Sequence, residues 1–537
     1  MNRFKRPLAL AISLISLGGC QALNSHDRTE TEHSDGKAAQ QGTVIDESLC
    51  TFDEESYTEF SISDRGNLWP RLREGYGLPD IDHPRIDAYL DWYTRHPHYM
   101  ERVLERGQRY LHYIANQLDA EGMPLELALL PIVESAFDPF AYSHGRASGI
   151  WQFVPGTGRQ YGLKQNWWYD GRRDVVASTD AAVRYLNYLH GLFDDDWLLA
   201  LAAYNTGQGN LARRIRNNER QGKPTDFWSL SLPRETRAYV PQLLALSKVI
   251  AAPEEYGLSL RPVPDEPYFQ VVDVGSQIDL SQAAEMAQMD LDELYMLNAG
   301  YNRWATDPEG PHQLLIPVQH EDAFLEQLAE LPTDQRVAWD RYRVERGDSL
   351  ITIARRYRTS VDNIKSANRL KGNMIRAGQT LMIPTARESA EHYAFSADQR
   401  RARTQNRSNG NDGTRLDYQV RSGDSFWTIA KRHGTTVGAL TNWNGMAPGD
   451  TLRPGQTLVI WTDREQSGTR RTDSEQRSVV RKVSYRVRKG DSLARIANRF
   501  GLSVQDILSW NTVSSSSYIH PGQSLTLYVD VTENGGY

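Results

Sequence analysis

Apolar residues recur at spacings of three and four along Pro84–Tyr93 and again along Tyr99–Leu118, which predicts helices that bury one face. The same spacing returns in Ser178–Leu192, with Ser178 placed to cap the first turn, and in Trp197–Ala203. No stretch between residues 65 and 260 alternates with a period of two, so this span reads as an all-α domain. Within it, the apolar run Pro124-Leu-Glu-Leu-Ala-Leu-Leu-Pro-Ile-Val-Glu-Ser135 ends on one carboxylate, Glu134. Leu130, Ile132, Val133 and Phe137 flank it. Such a setting strips water from the carboxyl, disfavours its ionised form and raises its pKa, as a proton donor at neutral pH requires.

The pattern changes toward the C-terminus, where the chain repeats itself. Tyr342-Arg-Val-Glu-Arg-Gly-Asp-Ser-Leu350 returns as Tyr418-Gln-Val-Arg-Ser-Gly-Asp-Ser-Phe426 and as Tyr485-Arg-Val-Arg-Lys-Gly-Asp-Ser-Leu493. An Asn follows each Tyr by 26 residues (Asn368, Asn444, Asn511), and a Gly-Gln pair closes each copy before a short apolar strand. Each unit reads strand, helix, helix, strand, over the spans 341–385, 417–461 and 484–528. Asp348, Asp424 and Asp491 are placed to cap the first helix of each. Val274-Gly-Ser-Gln-Ile-Asp-Leu280, Leu297-Asn298 and Leu314-Leu-Ile-Pro317 allow the same order at 266–320, either as a degenerate fourth copy or as an unrelated connector. Polar stretches Thr385–Arg415 and Thr462–Val483 separate the repeats, and the first would span roughly 30 Å as a flexible coil.

At 537 residues the chain is too long for one core. Its net charge of −7 gives no reason to expect nucleic acid, which calls for a basic face, and although most of its 13 Trp and 26 Tyr belong to cores, such a surplus of flat rings suits carbohydrate. Arg3, Lys5 and Arg6 precede an apolar stretch, Pro7–Leu17, too short to span a bilayer. It ends in Leu17-Gly18-Gly19-Cys20, which resembles the lipobox of bacterial lipoproteins, so 1–19 reads as a signal peptide and Cys20 as a lipidated N-terminus. Gln21 resembles the outer-membrane sorting signal, which implies the periplasmic side of the outer membrane. The polar segment 20–64 reads as a tether. The other cysteine, Cys50, has no readable role, and no internal disulfide is possible once Cys20 is acylated. Asp170, Asp174, Asp180 and Asp194–Asp196 lack metal-ligand spacing and read as helix caps, so no metal and no cofactor is expected.

Each complete repeat resembles a LysM module, a small α+β (βααβ) unit that binds polymers containing N-acetylglucosamine. The resemblance puts the ligand groove at Gly347, Asp348, Ser349 and Leu350, at Gly423, Asp424, Ser425 and Phe426, and at Gly490, Asp491, Ser492 and Leu493. Copy one has Ala367 where the others have Trp443 and Trp510, which implies unequal affinities. Glu134-Ser135, Gly149-Ile-Trp-Gln-Phe153, Ala203-Tyr-Asn205 and Arg234-Glu-Thr-Arg-Ala-Tyr-Val240, in that order, resemble the lysozyme-like domain of family 1 lytic transglycosylases. Ile150-Trp151 departs from the Leu-Met that many relatives carry. The resemblance implies a multidomain protein, an all-α lysozyme-like catalytic domain followed by LysM modules. It implies cleavage of the bond between N-acetylmuramic acid and N-acetylglucosamine without water, leaving a 1,6-anhydro sugar. Glu134 would be acid and then base, while Ser135, Gln152, Tyr204, Asn205 and Tyr239 would hold the substrate or orient Glu134. The only acid near Glu134 in sequence is Asp138. If no second carboxylate faces the cleft, the acetamide of the sugar is the internal nucleophile. The implied partners are peptidoglycan strands and, through Cys20, membrane lipid; a monomer is expected. The rival readings are a muramidase of the same fold and a non-catalytic wall-binding lipoprotein.

Overall fold

The computed structural model describes residues 66–462, apart from 358 and 408–412, and parts of 480–530. The signal peptide, Cys20, the tether, Cys50, Gly490 and most of the linker 462–483 lie outside the described residues.

The first domain is helical throughout: α1 (Leu68–Glu74), α2 (Pro84–Arg95), α3 (Pro97–Ala120), α4 (Leu130–Ser135), α5 (Pro155–Gln160), α6 (Val175–Leu192), α7 (Trp197–Thr206), α8 (Gln208–Glu219) and α9 (Arg234–Ala251). At its centre lies α7, in which Leu198 to Ala203 are all buried; a helix apolar all round can only be covered on every side. Its partners are α6 and α9, and α2 lies along α9. Asp174 and Asp196 accept backbone N–H bonds at the starts of α6 and α7. Ser178 is therefore not the cap expected for α6; it lies inside the helix, fully buried, because the helix begins one turn earlier.

Three βααβ units follow, and then a fourth unit of which the two strands are described. The first comprises β1 (Phe269–Asp273), α10 (Leu280–Met286), α11 (Leu291–Leu297) and β2 (Gln313–Pro317), and is followed by α12 (Val318–Glu330). The second comprises β3 (Ala338–Arg343), α13 (Leu350–Arg356), α14 (Val361–Ala367) and β4 (Thr380–Thr385). After α15 (Ala397–Asn406) comes the third, made of β5 (Thr414–Gln419), α16 (Phe426–Arg432), α17 (Val437–Trp443) and β6 (Thr457–Thr462). The last shows β7 (Val480–Arg486) and β8 (Ser524–Asp530). In each, the two strands pair antiparallel as a separate sheet. The recurring Asn has a physical cause. Asn368 donates to the carbonyls of Ile364 and Met382 and accepts from the Met382 N–H, so one amide ties the second helix to the closing strand. Asn444, Asn511 and Asn298 make the same three bonds in their own units.

Two expectations fail here. Asp348 and Asp424 do not cap helices: they accept from the hydroxyls of Tyr342 and Tyr418 and from the N–H groups of Glu345 and Arg421. The caps are Ser349 and Ser425, each in a reciprocal box with a Thr three residues on. The segment Thr385–Arg415 is not a flexible coil over its described part. Tyr393 and Phe395 are buried against the first βααβ unit, the Tyr393 hydroxyl bonds to Asp279, and α15 follows. That first unit is itself fixed to the helical domain. Arg109 of α3 makes a bidentate pair with Glu293 of α11 at 2.7 Å, and Trp168 and Tyr169 enter the core of the unit.

Candidate active site

Helix α4 is short because the backbone stops it. Ala136 and Phe137 adopt φ of 51° and 56°, left-handed values that cost non-glycine residues energy and end the helix just after Glu134. Glu134 is 8% exposed, with Leu130, Ile132 and Phe137 buried around it. Loss of hydration pushes its carboxyl up to about 8 against the opposing pull of the Tyr239 hydroxyl, which donates a hydrogen bond to Glu134 Oε1. The nearby charge of Glu235 raises it further. Tyr239 is buried and Tyr204 half-buried, and their hydroxyls are held well above the ordinary tyrosine value by desolvation and then by Glu134.

The other expected residues converge on the same place but mostly face one another. The Ser135 hydroxyl lies 3.1 Å from the carbonyls of both Pro131 and Ile150, so it ties α4 to the Gly149–Phe153 turn rather than touching Glu134. Gln152 has φ 47° and donates from Nε2 to the Gly149 carbonyl at 2.8 Å. Its Oε1 is buried without a partner, an acceptor left open for a donor that the fold does not supply. Trp151 is fully buried, with Nε1 donating to Thr179, and its carbonyl accepts from the Tyr204 hydroxyl at 2.8 Å. Asn205 accepts from Thr236 Oγ1 at 2.8 Å and donates to Glu235 Oε1 at 3.3 Å.

Glu235 was not among the expected site residues. It stands four residues before Tyr239 on α9, hence one turn away on the same face. That i, i+4 relation was visible in Arg234-Glu-Thr-Arg-Ala-Tyr-Val240 once Tyr239 had been chosen. Asp138, the acid nearer in sequence, instead accepts the N–H of Phe140 and shapes the turn. Among the described residues no cluster of metal-ligating side chains occurs, and no helix is long and apolar enough to cross a membrane.

In the repeats, the motif side chains serve their own units. Gly347 and Gly423 have φ near 90°, a conformation that Gly adopts without strain. Leu350 and Phe426 are buried in the module cores, which leaves only their backbone for a ligand. The exposed large apolar side chains next to this loop, in the first turns of α13 and α16, are Ile351 and Trp427. In the last unit, Asp491 accepts from Tyr485 and Leu493 packs on the core, while Ser492 is exposed.

A helical domain with a buried acid held protonated by its setting, joined to βααβ modules, defines a class of wall-cleaving proteins, the lytic transglycosylases. The model "Transglycosylase SLT domain" matches residues 112–227, and "LysM domain" matches 342–384, 418–461 and 485–527. "Lytic transglycosylase MltD, LysM-like domain" matches 268–333. The chain is 36% identical to membrane-bound lytic murein transglycosylase D of Escherichia coli (strain K12), over 84% of this chain and 97% of that protein. It is also 31% identical to an autolysin of Enterococcus faecalis (strain ATCC 700802 / V583), over 36% of this chain and 25% of that protein. Among solved structures, the Bacillus cereus spore cortex-lytic enzyme SleL matches at 30% identity over 21% of this chain and 22% of that one, with a TM-score of 0.09. The chain belongs to the membrane-bound lytic murein transglycosylase D family.

Proposed function

We propose that Glu134 is both acid and base in a peptidoglycan lyase reaction. The observation that carries this reading is the buried Glu134 carboxyl, raised to about 8 and hydrogen-bonded by Tyr239. At neutral pH it holds a proton, which it gives to the glycosidic oxygen between N-acetylmuramic acid and N-acetylglucosamine. Tyr239 then steadies the new carboxylate, which takes the proton of the muramoyl C6 hydroxyl as that oxygen closes on C1. The C1–O bond to the leaving sugar breaks, a C1–O6 bond forms, and no water is consumed. Gln152 Oε1 offers an acceptor to the sugar, and Tyr204 and Asn205 support the floor on which it lies.

The second reading is hydrolysis, and Glu235 is the observation that favours it, since a second carboxylate could activate water. Its hydrogen bond from Asn205 favours a supporting role instead. Mass spectrometry of digested glycan strands separates the two. Anhydro-muramic ends are expected, and reducing muramic ends would sink the lyase reading. The pH profile gives an independent check. Activity should fall as pH rises through about 8, where Glu134 loses its proton. Because the Glu235 charge raises Glu134, Glu235→Gln should move this alkaline limb of kcat/KM to lower pH. An unmoved limb would show that Glu235 does not bear on the acid.

The LysM modules, by this reading, hold the enzyme on the wall: linked weak sites raise the effective concentration at the substrate. We also propose that Cys20 is acylated and anchors the protein in the outer membrane, facing the periplasm. Cys20→Ser should move the protein from the membrane to the soluble fraction.

A further inference from the structure

Between the helical domain, α15 and the third βααβ unit lies a cavity of about 1950 Å³. Fourteen arginines and only four carboxylates line it. The carboxylates are already engaged where it matters: Asp170 with Arg172 at 2.7 Å, and Asp450 with Arg146 at 3.0 Å. Asp450 also accepts from the Tyr142 hydroxyl at 2.8 Å, which fixes this βααβ unit on the loop leading to Gly149. Gln405 of α15 bonds to Asn444 of the unit at 2.8 Å, so the three walls are joined.

Two arginines of α15 stand out. Arg400 Nε donates to the Phe395 carbonyl, and its guanidinium lies 4.4 Å from the Phe140 ring centroid. Arg403 donates to the Ala394 carbonyl and lies 4.8 Å from the Phe395 ring centroid, while its Nε is buried without a partner. Among the described residues neither has a carboxylate within ion-pair distance. Loss of hydration and the charge of Arg173 hold the Arg400 guanidinium well below its ordinary value. Asp138 and Asp170 offset part of this cost at Arg400, and Asp292 part of it at Arg403, but positive charge remains in excess along the lining. Guanidinium forks match carboxylates in a bidentate way, and the rings beneath them leave the terminal N–H groups that do not bond to Phe395 and Ala394 as donors. The cavity is far larger than an inorganic ion needs. Its lining includes Ser135 and Ala136, the two residues that follow Glu134, as well as Trp443 and Gln456 of the βααβ unit.

We propose that this cavity binds the carboxylate-bearing peptide stems of the glycan strand, with Arg400 and Arg403 as anchors. The proposal rests on the peptidoglycan reading above. A strand engaged at Glu134 would then be held by its side branches as well as by its sugars.

The test titrates the full-length chain, by calorimetry, with a synthetic muramoyl tripeptide that has free carboxylates. Its carboxamide analogue and inorganic phosphate serve as comparison probes. The acidic peptide should bind, the amide should bind at least about tenfold more weakly, and phosphate should not compete at equal concentration. Arg400→Gln with Arg403→Gln should weaken the acidic peptide by about tenfold or more. Arg453→Gln, on the opposite wall and exposed, should weaken it by a smaller factor if the double variant does not fold. Equal binding of acid and amide, full competition by phosphate, or unchanged affinity in both variants would each overturn the proposal. Cleavage of peptide-free glycan strands by the wild-type protein reports separately on the lyase reading, whatever the peptide does.

Discussion

Glu134→Gln is expected to abolish cleavage and, at the same time, to make the helical domain harder to unfold. General acid–base groups commonly contribute about 10²–10⁴ in rate, and one that acts twice should sit at the upper end of that range. The amide keeps the shape of the carboxyl and can still accept the Tyr239 hydroxyl bond. The gain in stability follows from linkage. In the folded state Glu134 releases its proton near 8, whereas an exposed Glu does so near 4.5. Between those values the folded chain holds a proton that the unfolded chain has lost, so this group lowers stability as pH rises through that window and most of all above it. Gln carries no such penalty. At pH 7 the variant should gain about 2–3 kcal/mol, a rise in Tm of roughly 5–10 °C for a domain of this size. Calorimetry at pH 5 and pH 7.5, paired with turnover on glycan strands, checks both halves. A stability gap that does not widen with pH would mean that Glu134 is ionised in the folded state. Turnover above about one-hundredth of wild type would remove it as the acid.

The same contrast explains what could be read from the chain. Helices α2, α3, α6 and α7 were legible because burial of one face, or of all faces, imposes a period on the sequence. The repeats were legible because Asn368, Asn444 and Asn511 each perform one irreplaceable task at a fixed spacing. Cap identity was not. Asp348 and Ser349 are adjacent and both suit the role, and only the extended backbone at Ser349 decides between them. The spacing from Tyr239 marks Glu235 as a neighbour on α9, but its effect on Glu134 comes from that helix packing beside α4, about a hundred residues away in sequence. The segment after Thr385 was misread for a similar reason. Its polar composition is that of a linker, but Tyr393 and Phe395 find a core built by residues far upstream. Pairings such as Arg109 with Glu293, or Tyr142 with Asp450, leave no local periodicity at all.

Gly149→Ala should be the most destabilising single change near the site, although it adds only one methyl group. Gly149 sits at φ 83°, and a Cβ there would lie 1.9 Å from the Arg172 carbonyl oxygen and 2.8 Å from its carbon. Those are backbone atoms, held by the Asp170–Arg172 turn, and they cannot rotate away as a side chain would. The left-handed backbone costs about 1–2 kcal/mol for Ala, and displacing packed backbone about 1–3 more. The expected total is about 3–4 kcal/mol, or roughly a 10 °C fall in Tm. Gly122→Ala provides the control, because it has a comparable φ of 64° with nothing within 4 Å of the added methyl. It should cost only the backbone share, about 1 kcal/mol. The difference between the two variants therefore isolates the steric part. The functional consequence follows from the hydrogen bonds. The Gly149 carbonyl accepts from both the N–H and the Nε2 of Gln152, while the carbonyls of Ile150 and Trp151 accept from Ser135 and Tyr204. Pushing Gly149 outward would loosen the turn that joins α4 to α7, and with it the setting of Glu134. Activity measured well below the lowered Tm should therefore still fall. If Gly149→Ala melted within a degree or two of Gly122→Ala, the close approach to Arg172 would not constrain this turn.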